Sequence, residues 1–133
     1  MRTLNVLIRL QRLRRLQQEA EVANQRGILE QARHHQMQAQ QDWIEAVKTE
    51  KMHRVCLDQE YLEKKVSVTR VRKWASRLRE SIERTKAFNT AYDHAQNALD
   101  AATVRLAERE AVLRTVTLKL EKYKFLLERE LES

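Results

Sequence analysis

The sequence predicts an all-α protein and, within that class, a long antiparallel two-helix coiled-coil hairpin. The chain has 133 residues with one glycine and no proline, so residues that favour tight turns are scarce. Charged residues make up 34% of the chain and aromatic residues 5%, a composition that excludes turn-rich sheet folds and is typical of coiled coils. Apolar residues also recur at heptad spacing, which indicates helices that bury a narrow stripe against another helix.

The second helix is predicted at about residues 69–131, where the heptad pattern is longest. One track of every seventh residue contains Val71, Leu78, Thr85, Tyr92, Leu99, Leu106, Leu113, Leu120 and Leu127. A second track, three residues further on, contains Trp74, Ser81, Phe88, Ala95, Ala102, Arg109, Val116 and Tyr123. These are the a and d positions of a coiled coil, and most of them are apolar.

The first helix is predicted at about residues 3–64, with Thr3 as its N-cap. Its apolar stripe is predicted to change register twice, which alters the local supercoil without ending the helix. The three successive stripes are Leu13, Leu16, Ala20, Ala23 and Gly27; then Val22, Leu29, Ala32, Ala39, Trp43 and Ala46; then Met52, Val55, Gln59, Leu62 and Val66. Gly27 costs the helix about 1 kcal/mol relative to alanine, so we interpret it as a close-contact position, with a flexible joint as the alternative.

The turn is predicted at about residues 65–68, so that residues 1–133 form a single hairpin. Ser67 is a good N-cap for the second helix, and the β-branched residues around it are mediocre helix formers. A turn there makes residues face each other when their numbers sum to about 133. Predicted facing groups are Ala20, Ala23 and Gly27 with Leu113, Val112 and Leu106, and Trp43 and Ile44 with Phe88 and Tyr92. The alternative is one unbroken helix that forms a parallel dimer.

Positive charge is concentrated in two segments of a chain whose formal net charge is +7. The first segment precedes the first acidic residue, Glu19, and contains Arg2, Arg9, Arg12, Arg14 and Arg15. The second contains Lys64, Lys65, Arg70, Arg72, Lys73, Arg77 and Arg79, followed by Glu80. Such segments meet acidic proteins, nucleic acid or anionic membranes, or are simply solvated helix faces. In a hairpin, the first segment lies beside the glutamates of residues 121–132, whereas the second has no acidic counterpart.

The sequence contains no recognisable catalytic or metal-binding constellation, so we predict a protein that is not an enzyme and binds no cofactor, metal or small-molecule substrate. Cys56 is the only cysteine, which rules out an internal disulfide. His53 and Cys56 share a helix face, but a structural zinc site needs four ligands. No apolar run approaches the ~20 residues of a membrane span, and the short run Leu4–Ile8 does not resemble a signal peptide core. We therefore expect a soluble, cytoplasmic protein.

The two chain ends are unusually apolar for a fraying helical terminus. Phe125 and Leu126 cannot both face the seam together with Tyr123 and Leu127. The N-terminal residues Leu4, Leu7, Ile8 and Leu10 add further apolar side chains at the same end of the predicted hairpin. We expect this end to offer apolar surface to a partner, whereas Trp43, Trp74, Phe88 and Tyr92 are interpreted as packing residues.

Three stretches of the chain together resemble the stalk proteins of bacterial type III secretion systems, the YscO family, to which the flagellar protein FliJ is related. The first is the basic, leucine-spaced opening Leu7-Ile8-Arg9-Leu10-Gln11-Arg12-Leu13-Arg14, and the second is Val66-Ser67-Val68-Thr69-Arg70-Val71-Arg72-Lys73-Trp74. The third is Lys119-Leu120-Glu121-Lys122-Tyr123-Lys124-Phe125, which leads into a glutamate-rich end. The resemblance covers nearly the whole chain, and the glutamine-rich segment near residues 31–41 departs from it.

The resemblance implies a hairpin whose terminal end inserts into a hexameric export ATPase and promotes its assembly and activity. It also implies contacts with the cytoplasmic domain of the export gate and with secretion chaperones, at the cytoplasmic face of the inner membrane. The residues implied to face the ATPase are Arg9, Arg12, Arg14, Arg15, Tyr123, Phe125 and Leu126. Those implied to meet the gate or a chaperone are Arg70, Arg72, Lys73 and Arg77.

Three other functions remain open from the sequence alone. A net charge of +7 suits a nucleic-acid-binding helical protein, although no aromatic platform for base stacking accompanies the arginines. The amphipathic segment Leu4–Leu16 suits a membrane-surface anchor. A generic coiled-coil scaffold that dimerises in parallel is the third, whereas the stalk is predicted to be monomeric alone.

Overall fold

The computed structural model describes residues 2–62 and 67–132. It contains two helices, α1 (Arg2–Leu62) and α2 (Val68–Glu132), and no strand within the described residues. The helices pack against each other antiparallel, which confirms the predicted all-α two-helix hairpin. The alternative of one unbroken helix is wrong, because α2 has its own start and returns along α1.

Ser67 caps the start of α2, as predicted from the sequence. Its Oγ accepts a hydrogen bond from the backbone N–H of Arg70 at 3.2 Å, and its carbonyl accepts from Arg70 and Val71. These bonds satisfy backbone donors that the first helical turn cannot satisfy internally. Residues 65 and 66 of the predicted turn lie outside the described residues, whereas Ser67 directly precedes α2 and Val68 is already helical. α1 begins at Arg2, so Thr3 lies inside the first turn and is not the N-cap.

The hairpin divides into two compact units, each built from a segment of both helices. The terminal unit comprises Met1–Gln31 and Asp100–Ser133, and the central unit comprises Ala32–Leu99. Contacts between the helices obey the predicted register in both units, since the paired residue numbers sum to within about three of 133. Examples are Arg26 with Glu110 in the terminal unit and Trp43 with Tyr92 in the central unit.

The two predicted tracks of α2 form its seam. Their residues are buried or half-buried, and the most enclosed are Ser81, Ala95, Ala102 and Leu120. Arg109 is the exception within the tracks: it is exposed, and its guanidinium lies 2.7 Å from a carboxylate oxygen of Glu21 on α1. An apolar heptad therefore locates this seam correctly from sequence alone.

The seam of α1 in the terminal unit agrees with the prediction only at Val22 and Leu29. Its residues are Leu4, Ile8, Gln11, Arg15, Gln18, Val22, Gln25 and Leu29, which follow one continuous heptad without a slip. The predicted seam residues Leu13, Leu16, Ala20, Ala23 and Gly27 are instead exposed, so their predicted contacts with Leu106, Val112 and Leu113 are wrong. The polar seam residues concealed the true register, because the most apolar stripe lies on the other face. Gly27 is not a close-contact position, since an added Cβ would meet nothing within 4 Å.

The seam of α1 in the central unit agrees with the prediction up to Ala46. Its residues are Ala32, Gln36, Ala39, Trp43, Ala46, Glu50, His53, Leu57 and Glu60. Beyond Ala46 the predicted residues Met52, Val55 and Gln59 are exposed, because polar residues occupy the seam there. The side chains of Leu62 and Val66 lie outside the described part of the chain.

Trp43 and Tyr92 stack with ring centroids 5.7 Å apart and an interplanar angle of 22°. Aromatic pairs in this geometry stabilise a core beyond the area that they bury. Trp74 and Phe88 are half-buried, so the interpretation of all four aromatic residues as packing residues is confirmed. Ile44 is 43% exposed, and its predicted place in the seam is wrong.

Candidate protein-interaction surfaces

An apolar stripe runs along the outer face of α1 in the terminal unit. Because the heptad directs the seam residues toward α2, residues two positions away from them point outward. We call this surface the α1 stripe; its members are Val6, Leu10, Leu13, Leu16, Ala20, Ala23 and Gly27. Its four large side chains are between 39% and 64% exposed. The α1 stripe therefore includes exposed residues that the sequence pattern predicted in the seam: Leu13, Leu16, Ala20, Ala23 and Gly27.

A second apolar stripe runs along the outer face of α2 in the same unit. Its members are Val104, Ala111, Leu118 and Phe125, which follow each other at seven-residue spacing. We call this surface the α2 stripe; its three large side chains are 57–59% exposed. Each stripe lies on the side of its helix that faces away from the other helix. The terminal unit thus has apolar surface on two opposite edges.

The seam between these edges is unusually polar. Gln11, Gln18 and Gln25 occupy successive seam positions seven residues apart, and each has a buried side-chain carbonyl oxygen without a hydrogen-bond partner. Gln11 is only 3% exposed. An unsatisfied buried polar group costs about 1–3 kcal/mol. The terminal unit therefore has unsatisfied polar groups in its seam and apolar side chains on its surface.

Cations surround the N-terminal half of the α1 stripe. Arg9, Arg12 and Arg14 are exposed, whereas Arg15 is half-buried and its Nε lies 3.0 Å from a carboxylate oxygen of Glu19. Arg12 also lines two neighbouring clefts between the helices, of about 320 and 450 Å³, together with Lys124. The floors of these clefts contain the seam residues Leu120, Ile8 and Leu127, and Glu128 lines the larger cleft.

The predicted ATPase-facing residues all lie in the terminal unit, but they do not share one surface. Tyr123 is half-buried in the seam, as Leu127 is, while Phe125 and Leu126 are 57% and 38% exposed. The prediction that these four cannot all face the seam is confirmed. Arg129 lies over the ring of Phe125, 6.0 Å from its centroid. The sequence interpretation missed Val104, Ala111 and Leu118, although their seven-residue spacing with Phe125 was a readable signal.

The predicted gate- or chaperone-facing residues lie together near the start of α2, in the central unit. Arg70 is 3.4 Å from a carboxylate oxygen of Glu60, and Arg77 lies over Trp74 at 5.0 Å from the ring centroid. Arg72 and Lys73 are exposed. Arg79 and Lys86 continue the line of Arg72 at seven-residue spacing, which forms an exposed cationic track: Arg72, Arg79 and Lys86.

The central unit also contains a polar cleft of about 290 Å³ beside His53 and Ser81. His53 Nδ1 and Ser81 Oγ are hydrogen-bonded, and Thr85 donates to the carbonyls of Ser81 and Ala46 at 2.8 and 3.3 Å. These contacts satisfy polar groups that occupy seam positions.

Metal-binding and membrane-spanning features are absent from residues 2–62 and 67–132. No three His, Cys, Asp or Glu side chains there are grouped so that they could hold a metal ion. Cys56 is a half-buried free thiol. Neither helix, in its described part, has a segment long and apolar enough to cross a bilayer.

No protein-family model, curated protein or solved structure matches this chain. The interpretation of its surfaces therefore depends on its own residues.

Proposed function

We propose that this protein is the non-enzymatic central stalk of a type III protein secretion export apparatus. The terminal unit inserts into the hexameric export ATPase and promotes its activity. The cationic start of α2 binds the cytoplasmic domain of the export gate, and secretion chaperones are further partners. The protein acts at the cytoplasmic face of the inner membrane and is monomeric alone.

The observation that carries this proposal is the pair of apolar stripes on opposite edges of the terminal unit. A partner that covers one edge, such as a second copy of the hairpin, leaves the other stripe in water. A ring-shaped partner contacts an inserted hairpin from both sides. Because these side chains are already about half buried, covering one contributes only about 1 kcal/mol, and insertion depends on covering both stripes together.

The arginines of the terminal unit supply the polar part of such a contact. Arg9, Arg12 and Arg14 are exposed beside the α1 stripe, where they can pair with carboxylates that line a ring. Arginine and large aromatic residues are enriched among the energetically dominant residues of interfaces. Phe125, which is exposed on the α2 stripe, is the aromatic candidate.

ATP turnover by the cognate export ATPase tests the proposal, measured with and without this protein at about one chain per hexamer. We expect stimulation, and we expect Leu13→Glu and Leu118→Glu each to raise the half-maximal concentration by roughly tenfold, because each places a charge in one covered edge. Met37→Glu is the matched control, since Met37 is 57% exposed but lies in the central unit. No stimulation at any salt or protein concentration would contradict the proposal.

The cationic track of α2 favours a second candidate, a nucleic-acid-binding protein. Arg72, Arg79 and Lys86 could neutralise phosphates, but Trp74 is half-buried beneath Arg77 and is not presented for base stacking. Duplex DNA binding at physiological salt, with a steep salt dependence that Arg72→Glu with Arg79→Glu abolishes, would favour this candidate over the stalk.

A further inference from the structure

The first four turns of α1 combine the large members of the α1 stripe with an unbroken run of positive charge. Val6, Leu10, Leu13 and Leu16 are 58%, 39%, 55% and 64% exposed. Arg2, Arg9, Arg12 and Arg14 are exposed on the same turns, and no acidic residue occurs before Glu19. No other described segment combines these two properties.

We infer that this face of α1 binds the surface of an anionic phospholipid bilayer, with the helix lying in the plane of the membrane. An amphipathic helix with arginines beside its apolar face buries that face at the boundary between headgroups and acyl chains. Anionic lipids attract the arginines electrostatically. This function is separate from ATPase stimulation and goes beyond the proposed stalk role.

The position of the arginines suits a bilayer surface, which needs none of the matched carboxylates that the proposed ring has to supply. Arg2 and Arg9 belong to the same seven-residue track as Leu16, so they lie within the apolar face and not only along its border. A protein groove deep enough to cover Leu13 would also bury Arg9, and a buried guanidinium requires a matched carboxylate. At a bilayer surface the long arginine side chains reach the phosphates while the leucines enter the hydrocarbon.

The other surfaces of the protein lack this combination, which makes the inference specific to α1. The cationic track of α2 has polar neighbours on its outer face, among them Ser76 and Glu83. Charges of both signs border the α2 stripe, namely Glu108, Glu121 and Glu128 together with Arg114, Lys122 and Arg129. The α2 stripe therefore has no excess of positive charge to attract phosphate groups, whereas residues 2–18 contain five arginines and no carboxylate side chain.

Sedimentation of the full-length protein with phospholipid vesicles tests the inference. The vesicles contain phosphatidylcholine alone or phosphatidylcholine mixed with phosphatidylglycerol. We expect binding to the mixed vesicles at physiological salt and at least tenfold weaker binding to the neutral ones. Equal binding to both compositions, or binding to neither, would overturn the inference.

Variants assign the contact to one edge of the terminal unit. Leu13→Glu with Leu16→Glu is expected to weaken vesicle binding by roughly tenfold or more, because two charges enter the inserted face. Leu118→Glu and Arg72→Glu with Arg79→Glu are expected to bind like the parent protein, and circular dichroism checks that each variant is helical. If Leu118→Glu weakened vesicle binding as much as Leu13→Glu with Leu16→Glu does, the inference would be overturned. Because ATPase stimulation depends on both stripes and vesicle binding on the α1 stripe alone, either proposal can fail without the other.

Discussion

The terminal and central units use the same antiparallel register but place their apolar residues differently. The central unit puts Trp43 and Tyr92 into the seam, and its α2 segment exposes no large apolar side chain between Val68 and Val104. On its α1 segment, exposed Met37, Ile44, Met52 and Val55 alternate with polar residues. The terminal unit puts three unsatisfied glutamines into the seam and lines both outer edges with apolar stripes. The two units therefore share a register but differ in how polar their seams are and in where their exposed apolar residues lie.

The largest expected effect is in the central unit. Trp43→Ala should lower the free energy of unfolding by about 3 kcal/mol or more, because it removes a large seam side chain and its stacking on Tyr92. Urea denaturation monitored by circular dichroism measures the loss. In the Trp43→Ala variant, Tyr92→Ala should lower the free energy of unfolding by less than it does in the parent protein, since the two rings share one interaction. Additive losses would indicate that the stack contributes little.

A smaller effect of opposite sign is expected in the terminal unit. Gln11→Leu should raise the free energy of unfolding by about 1–2 kcal/mol, because it removes an unsatisfied buried carbonyl and buries apolar surface instead. Gln36→Leu is the matched control at a seam position of the central unit. There the Gln36 amide donates to Gln96 at 3.1 Å, so the substitution should be neutral or destabilising. Equal stabilisation by both substitutions would remove the distinction between the two seams.

The smallest effect concerns Gly27 in the α1 stripe. Gly27→Ala should stabilise the free protein by about 0.5–1 kcal/mol, because alanine is the better helix former and its methyl group meets no neighbour. Thermal unfolding followed at 222 nm checks the shift. A destabilised variant would mean that another helix approaches Gly27 closely in solution, as the sequence alone suggested.

The sequence predicted the fold and the α2 seam because Leu78, Leu106 and Leu120 belong to an apolar heptad that is much longer than the α2 stripe on the same helix. In the terminal unit it predicted Val22 and Leu29 of the α1 seam but placed the rest of that seam on a competing apolar stripe. Heptad analysis assumes that the most apolar stripe is buried, and Leu13 and Leu16 satisfied that assumption better than Gln11 and Gln18 did. Only the packing of α1 against α2 reveals which stripe faces inward.

The candidate site was predicted in part for the same reason. The family resemblance, together with charge and terminal position, predicted Arg9, Arg12 and Phe125 as partner-facing residues, and that role remains a proposal. Val104 and Leu118 were missed although their seven-residue spacing with Phe125 is visible in the sequence, because that spacing alone does not show which edge of α2 faces outward.

Cysteine labelling tests the central claim most directly, because the claim is that the apolar stripes of the terminal unit face water in the free protein. In a Cys56→Ser background, single Leu13→Cys, Leu118→Cys and Gln11→Cys variants are reacted with a maleimide under native conditions and in urea. We predict that the first two react in the native state nearly as fast as in urea, whereas Gln11→Cys is slowed by roughly tenfold or more. Protection of Leu13→Cys together with rapid labelling of Gln11→Cys would show that the leucines form the seam and would contradict the account.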